Sequence, residues 1–126
     1  MLPVSAPFHT SLMRPAEERL GVDLDRIAFK DPKFPVVTNV DARPVWTGEE
    51  AKAALMRQVS RPVLWATSME ALREAGIEFY VETGPGKVLS GLMKRIGRGW
   101  PEMPAMVNVE NWESLEKAHG ALLGVL

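Results

Sequence analysis

An α/β fold is predicted for this 126-residue chain, because short apolar strands alternate with segments of helical periodicity. Three runs carry the strand half of that prediction: FPVVTNV at Phe34 to Val40, IEFYVE at Ile77 to Glu82, and PAMVNV at Pro104 to Val109. Each is short and rich in β-branched or aromatic residues. Strands separated by helices are expected to pair in parallel, since a parallel neighbour needs a crossover and crossovers are usually helical. The result is a mostly parallel sheet flanked by helices. So few hydrophobic strands make a narrow sheet, which is therefore expected to be incomplete.

The first stretch with chemical content is VSAPFHT, Val4 to Thr10. Pro7, an aromatic and a histidine in succession make a stiff turn that can aim the His9 imidazole, with Phe8 expected to anchor the turn in the core. Leu12, Ala16 and Leu20 then mark a helix to about Leu24, with Thr10 or Ser11 as its expected cap and Pro15 tolerated in the first turn. FPVVTNV follows as a buried strand and places Asn39 at its carboxyl end. Thr47 and Glu50 have the spacing of a capping box and open a helix through Ala51, Ala54, Leu55 and Gln58, which must stop or kink before Pro62. Ser60 is the expected cap of the next helix, whose apolar face is Trp65, Met69 and Leu72 and which ends at Gly76.

IEFYVE runs directly into TGPGKVLSGLMKRI, which reads as strand, glycine loop and helix. Val88, Leu89, Leu92 and Ile96 form the expected buried stripe of that helix, while Lys87, Lys94 and Arg95 stay outside or near its ends. After PAMVNV, Asn111 caps a last amphipathic helix through Trp112, Leu115, Ala118 and Leu122.

Composition narrows the chemistry. The apolar share of 46% suits one globular domain with a real core. With 15 basic and 16 acidic side chains in no long blocks, the chain has no electrostatic footprint for nucleic acid or an anionic membrane. Its lack of cysteine excludes disulfides, thiolate zinc sites and a cysteine nucleophile, and fits a reducing cytoplasm. Two histidines are too few for a metal cluster, and no metal is expected. The apolar start is broken at Pro3 and lacks a basic flank, so it is not read as a signal peptide, and no apolar run reaches membrane-spanning length.

Individually, the candidate site residues have ordinary readings. His9 is either a structural histidine satisfied within its turn or a catalytic group, whereas His119 lies on the polar side of the terminal helix. The Gly84-Pro85-Gly86-Lys87 loop lies at a helix start, where free amides favour an anion, but it lacks the glycine spacing of a dinucleotide fingerprint and the ending of a P-loop. It reads as a tight structural turn. Gln58 alone is a polar surface residue, and Asn39 gains interest only because ligands of open α/β sheets gather at carboxyl strand ends.

In order, VSAPFHT, FPVVTNVDARPV, LMRQVSRPVLWATSMEAL, VETGPGKVLSGLMKRI and NVENWESLEKA resemble the carboxyl-terminal part of bacterial malonyl-CoA:acyl carrier protein transacylases. RPVLW and GPGKVLSGL, at these separations from a PFH turn, are the most specific phrases. The resemblance implies that residues 1–126 are the carboxyl-terminal part of the large subdomain of an acyltransferase with an α/β-hydrolase-like fold. It implies that His9 is the catalytic base and that the main-chain carbonyl of Gln58 orients its ring. It also implies an acyl-serine intermediate, with malonyl passing from coenzyme A to serine and then to the carrier's phosphopantetheine thiol. These thioesters are substrates, and no resident cofactor is implied. Phe8 before the histidine fits malonyl over methylmalonyl, a discrimination of about 1 to 3 kcal/mol for one methyl.

The chain departs from the family pattern in one decisive respect: no G-x-S-x-G elbow occurs in it, and Ser90 falls within a predicted helix. The nucleophile elbow and the ferredoxin-like small subdomain are thus expected on a missing amino-terminal half, and this chain alone is expected to be inactive. Malonyl-CoA, acyl carrier protein and that missing half are the implied partners. A competing reading is a non-catalytic module that binds acyl carrier protein or coenzyme A, with Arg57, Arg61, Lys87, Lys94 and Arg95 as candidate contacts.

Overall fold

The computed structural model describes residues 6–124. The apolar start and the first two residues of VSAPFHT, residues 1–5, lie outside the described residues. The chain forms two compact units, one ending at Ala71 and the other beginning at Leu72.

In the first unit a 3₁₀ turn, Ser11–Met13, leads into α1 (Arg14–Leu24), with proline in its first turn as expected. Neither Thr10 nor Ser11 caps it through a side chain: the Met13 amide is taken by the main-chain oxygen of Thr10 at 2.9 Å, and the Thr10 hydroxyl turns back toward Pro7. Phe8 also departs from expectation, since it is 56% exposed and does not reach the core. Hydrogen bonds within the turn hold it instead, among them Phe8 N to Ala6 O at 2.9 Å.

The expected strand over Phe34 to Val40 shortens to β1 (Val36–Val37), which pairs antiparallel with β2 (Pro44–Val45) in the register Val36 with Val45 and Val37 with Pro44. The chain reverses before it can extend further. Ala42 adopts φ 52°, its amide donates to Thr38 O at 2.9 Å, and Thr38 N donates to Arg43 O at 3.2 Å. Burial favours this hairpin, because it drives Val40, Ala42 and Val45 into the core beside Leu24, Ala54 and Met69.

The predicted capping box opens α2 (Gly48–Arg57): Glu50 N donates to Thr47 Oγ1 at 3.1 Å, and Thr47 N donates to the Glu50 carboxylate at 3.3 Å. Backbone amides of Trp46 and Thr47 hold the Glu50 carboxyl below the usual glutamate range. α1 packs against α2 where Gly21 faces Met56; a β-carbon at Gly21 would stand 2.8 Å from the Met56 methyl. α3 (Trp65–Glu74) begins later than expected, and Ser60 does not cap it. The residue before Pro62 is biased away from helical backbone, so residues 61–64 stay outside the helix, and the Ser60 hydroxyl donates to Glu17 instead.

In the second unit the end of α3 is closed by Gly76 at φ 77°, with Ile77 N donating to Leu72 O at 3.1 Å. β3 (Phe79–Thr83) and β4 (Ala105–Val109) pair in parallel, from Phe79 with Ala105 to Thr83 with Val109. α4 (Val88–Ile96) and α5 (Trp112–Leu123) pack against this pair, and Asn111 caps α5 by accepting from Ser114 N at 2.9 Å. The class is therefore α/β, with a small and incomplete sheet. None of the expected α4 stripe is fully buried: Val88 is 58% exposed, Leu89 is also open, and Leu92 and Ile96 are half-buried, while Met93, outside that stripe, is the buried residue at 2%. A sheet of two strands is too narrow to cover two turns of helix. Among the described residues, no helix is long and apolar enough to cross a membrane.

Two glycines give opposite expectations. A β-carbon at Gly48 would meet Phe29 O at 2.6 Å and Lys30 O at 2.9 Å, both rigid main chain. Gly48→Ala is expected to destabilise the first unit by about 1 to 3 kcal/mol. Gly120, within α5, has nothing within 4 Å of the same position, so Gly120→Ala should stabilise by roughly 0.5 to 1 kcal/mol. Thermal melts of the two variants check the signs.

Candidate functional site

His9 sits in the left-handed region with φ 58°, a conformation that costs a non-glycine residue roughly 1 to 2 kcal/mol. Its Nδ1 lies 2.8 Å from the main-chain oxygen of Gln58. A carbonyl can only accept, so this hydrogen bond requires the proton on Nδ1 and leaves the lone pair on Nε2. The imidazole is exposed.

Gln58 can serve in this way because of where α2 ends. It is the C-cap residue, at φ −67° and ψ −15°, and its own amide still donates to Ala54 O at 3.0 Å. Carbonyls at a helix terminus lack an intrahelical donor and carry the negative end of the helix dipole. Such an oxygen is free to accept from Nδ1. The helix end is itself tethered, since the Arg57 guanidinium pairs with the Asp41 carboxylate in the β1–β2 turn. Beyond Gln58, an open hollow of about 310 Å³ is lined by Ser11, Arg14, Glu17, Glu18, Ser60 and Arg61.

The other candidates serve the fold. Asn39 uses its main-chain oxygen to accept from Leu64 N at 2.7 Å, which fixes the approach to α3. In the second unit, the amides that might have cradled an anion are already occupied. Leu89 N and Ser90 N donate to the Glu82 carboxylate, each at 2.9 Å, and Gly86 N donates to Glu110 at 3.0 Å. Asn108 donates to the main-chain oxygens of Glu82, Gly84 and Gly86 at 3.3, 3.3 and 2.7 Å. The loop is a locked turn, as its sequence suggests. The Ser90 hydroxyl is spent on Glu82 at 2.5 Å, and His119 is exposed on α5. Sequence reasoning missed Glu82, Asn108 and Glu110, although an asparagine inside the apolar run PAMVNV is a legible signal.

No family profile matches the sequence. It is 48% identical over 95 residues to the malonyl CoA-acyl carrier protein transacylase of Escherichia coli K12, an alignment covering 75% of this chain and 31% of that protein. A malonyl-transacylase solved in complex with a type II PKS acyl-carrier protein superposes with a TM-score of 0.85 at 40% identity, covering 95% of this chain and 38% of that one. The malonyl CoA-acyl carrier protein transacylase of Coxiella burnetii gives a TM-score of 0.82 at 36% identity, over 93% of this chain and 36% of that one. The architecture is thus that of an acyltransferase segment. The acyltransferases it is related to are malonyl CoA-acyl carrier protein transacylases, and the chain spans about a third of their length, consistent with a carboxyl-terminal portion.

The Glu82 bonds carry a pH dependence. The Ser90 hydroxyl, together with the helix amides, holds the Glu82 carboxyl below the usual glutamate range. A lowered folded-state value means that its stabilisation is full above the ordinary value, near about 4.3, and fades as pH falls through the lowered one. Exchange protection at the Leu89 and Ser90 amides is expected to persist into that acid range and to disappear at any pH in Glu82→Ala. Amide exchange followed by NMR reads both.

Proposed function

We propose that this chain is part of a malonyl-CoA:acyl carrier protein transacylase, contributing the general base to an active site whose nucleophile lies elsewhere in the protein. In this reading residues 1–126 are the carboxyl-terminal part of the large subdomain, and the serine elbow and ferredoxin-like subdomain belong to the rest of the molecule. The observation that carries the proposal is the 2.8 Å contact between His9 Nδ1 and Gln58 O, because it leaves Nε2 free and aims it from a fixed backbone. No G-x-S-x-G elbow is present in the sequence to supply a nucleophile.

The reaction follows from that geometry. His9 Nε2 accepts the proton of the serine hydroxyl as the oxygen attacks the malonyl thioester carbonyl; the imidazolium returns the proton as coenzyme A leaves as its thiol. In the second half, Nε2 takes the proton of the carrier's phosphopantetheine thiol while its sulfur attacks the malonyl ester, and the proton passes to the departing serine oxygen. During each transfer the ring is cationic. The Gln58 carbonyl and the negative end of α2 then stabilise it, where many triads use a carboxylate. A thioester is already activated and a thiolate is a good leaving group, so a neutral acceptor suffices. Coenzyme A and phosphopantetheine enter as substrates, no resident cofactor is needed, and the reaction is assigned to the cytoplasm. The acyl carrier protein is the partner, in keeping with the related malonyl-transacylase solved in complex with one.

The test is to fuse or co-express the chain with the remaining portion of a related transacylase and to measure malonyl transfer. The chain alone should be inactive and the assembled protein active. His9→Ala should reduce transfer by about 100-fold to 10,000-fold, the range of a general base. Gln58→Ala, which keeps the carbonyl, should lose far less. Equal activity of the wild type and His9→Ala would sink the assignment.

A further inference from the structure

Thr10 occupies a helix-capping position without capping. Its backbone is extended, at φ −129° and ψ 165°, directly before the 3₁₀ turn Ser11–Met13, yet its side chain makes no capping hydrogen bond. The hydroxyl instead donates to the main-chain oxygen of Pro7 at 2.8 Å, reaching back across Phe8 and His9. On its other side, Thr10 O accepts from Met13 N at 2.9 Å. The left-handed His9 therefore lies inside a strap whose two ends are both restrained, one by the fixed φ of proline and the other by the 3₁₀ turn.

Strain of this kind persists only where neighbouring structure over-determines it. Thr10 is exposed, so the strap adds no burial of its own, and what it encloses is the backbone of the histidine. The imidazole is then restrained twice from separate parts of the unit: its ring by Gln58 O at the end of α2, and its backbone by the Thr10 hydroxyl.

We infer that Thr10 is a positioning residue for His9, its hydroxyl strap holding the left-handed turn so that Nδ1–H reaches Gln58 and Nε2 stays open. The catalytic consequence rests on the reading of His9 as the general base; the geometric claim is independent of it. Imidazole ¹⁵N resonances of the 126-residue chain, recorded above the pH of histidine protonation, report the tautomer, with the exposed His119 as the internal reference. In the wild type the Nδ1–H form should dominate at His9. Thr10→Val, which keeps the shape and removes the hydroxyl, should lower the ratio of Nδ1–H to Nε2–H about fivefold, equivalent to about 1 kcal/mol for one hydrogen bond. Thr10→Ser should restore it.

An unchanged ratio in Thr10→Val, or an equal fall in Thr10→Ser, overturns the inference. So does a Thr10→Val chain whose amide resonances shift throughout α1 and α2, because the hydroxyl would then support the unit as a whole. A wild-type fusion with no malonyl transfer, alongside the expected change of tautomer, removes the general-base reading and leaves the role of Thr10 intact.

Discussion

A helix that ends in the open leaves carbonyls with no amide to accept from, and the first unit resolves one of them with a histidine. The Gln58 oxygen at the end of α2 takes Nδ1 of His9 at 2.8 Å. Much of the surrounding structure makes that meeting possible. The Thr47 and Glu50 box fixes where α2 begins, and Gly21 lets Met56 approach α1 closely. The Arg57 and Asp41 pair ties the far end of the helix to the β1–β2 turn. If α2 were a turn longer, the same carbonyl would be consumed by its own helix.

The orienting group is neutral, and this bears on the chemistry. A carboxylate would place a full negative charge beside the ring, whereas a carbonyl at a helix terminus offers a milder, directional field. Such an acceptor suits the proposed thioester transfer, whose leaving group is already good. It also fixes the tautomer as firmly as a carboxylate would, because an oxygen that only accepts admits one arrangement of the proton.

In the second unit the same physics works toward rigidity. A loop with the look of an anion site is saturated from within: Glu82 and Glu110 take its amides, and Asn108 takes its carbonyls. Negative charge at a helix start is favourable whether it comes from a ligand or from the chain itself. Here it comes from the chain, and the loop becomes a stiff link between β3 and α4.

Local rules, read from the sequence alone, determined what depends on near neighbours. The capping box at Thr47, the cap at Asn111, the strands around Phe79 and Ala105, the stop at Gly76 and the tight glycine loop are each set by a few adjacent residues. The order of motifs also pointed to His9 and Gln58 through the resemblance they carry. Tertiary structure decided the rest. Burial of Val40 and Ala42 folded an expected strand into a hairpin, a sheet of two strands left Val88 exposed while burying Met93, and Phe8 stayed outside because hydrogen bonds already held its turn. His9 and Gln58 are 49 residues apart in the chain, and no local pattern says that one ring nitrogen will meet one carbonyl across that separation. That contact exists because a helix ends where it does, and a helix end is placed by packing against the elements around it.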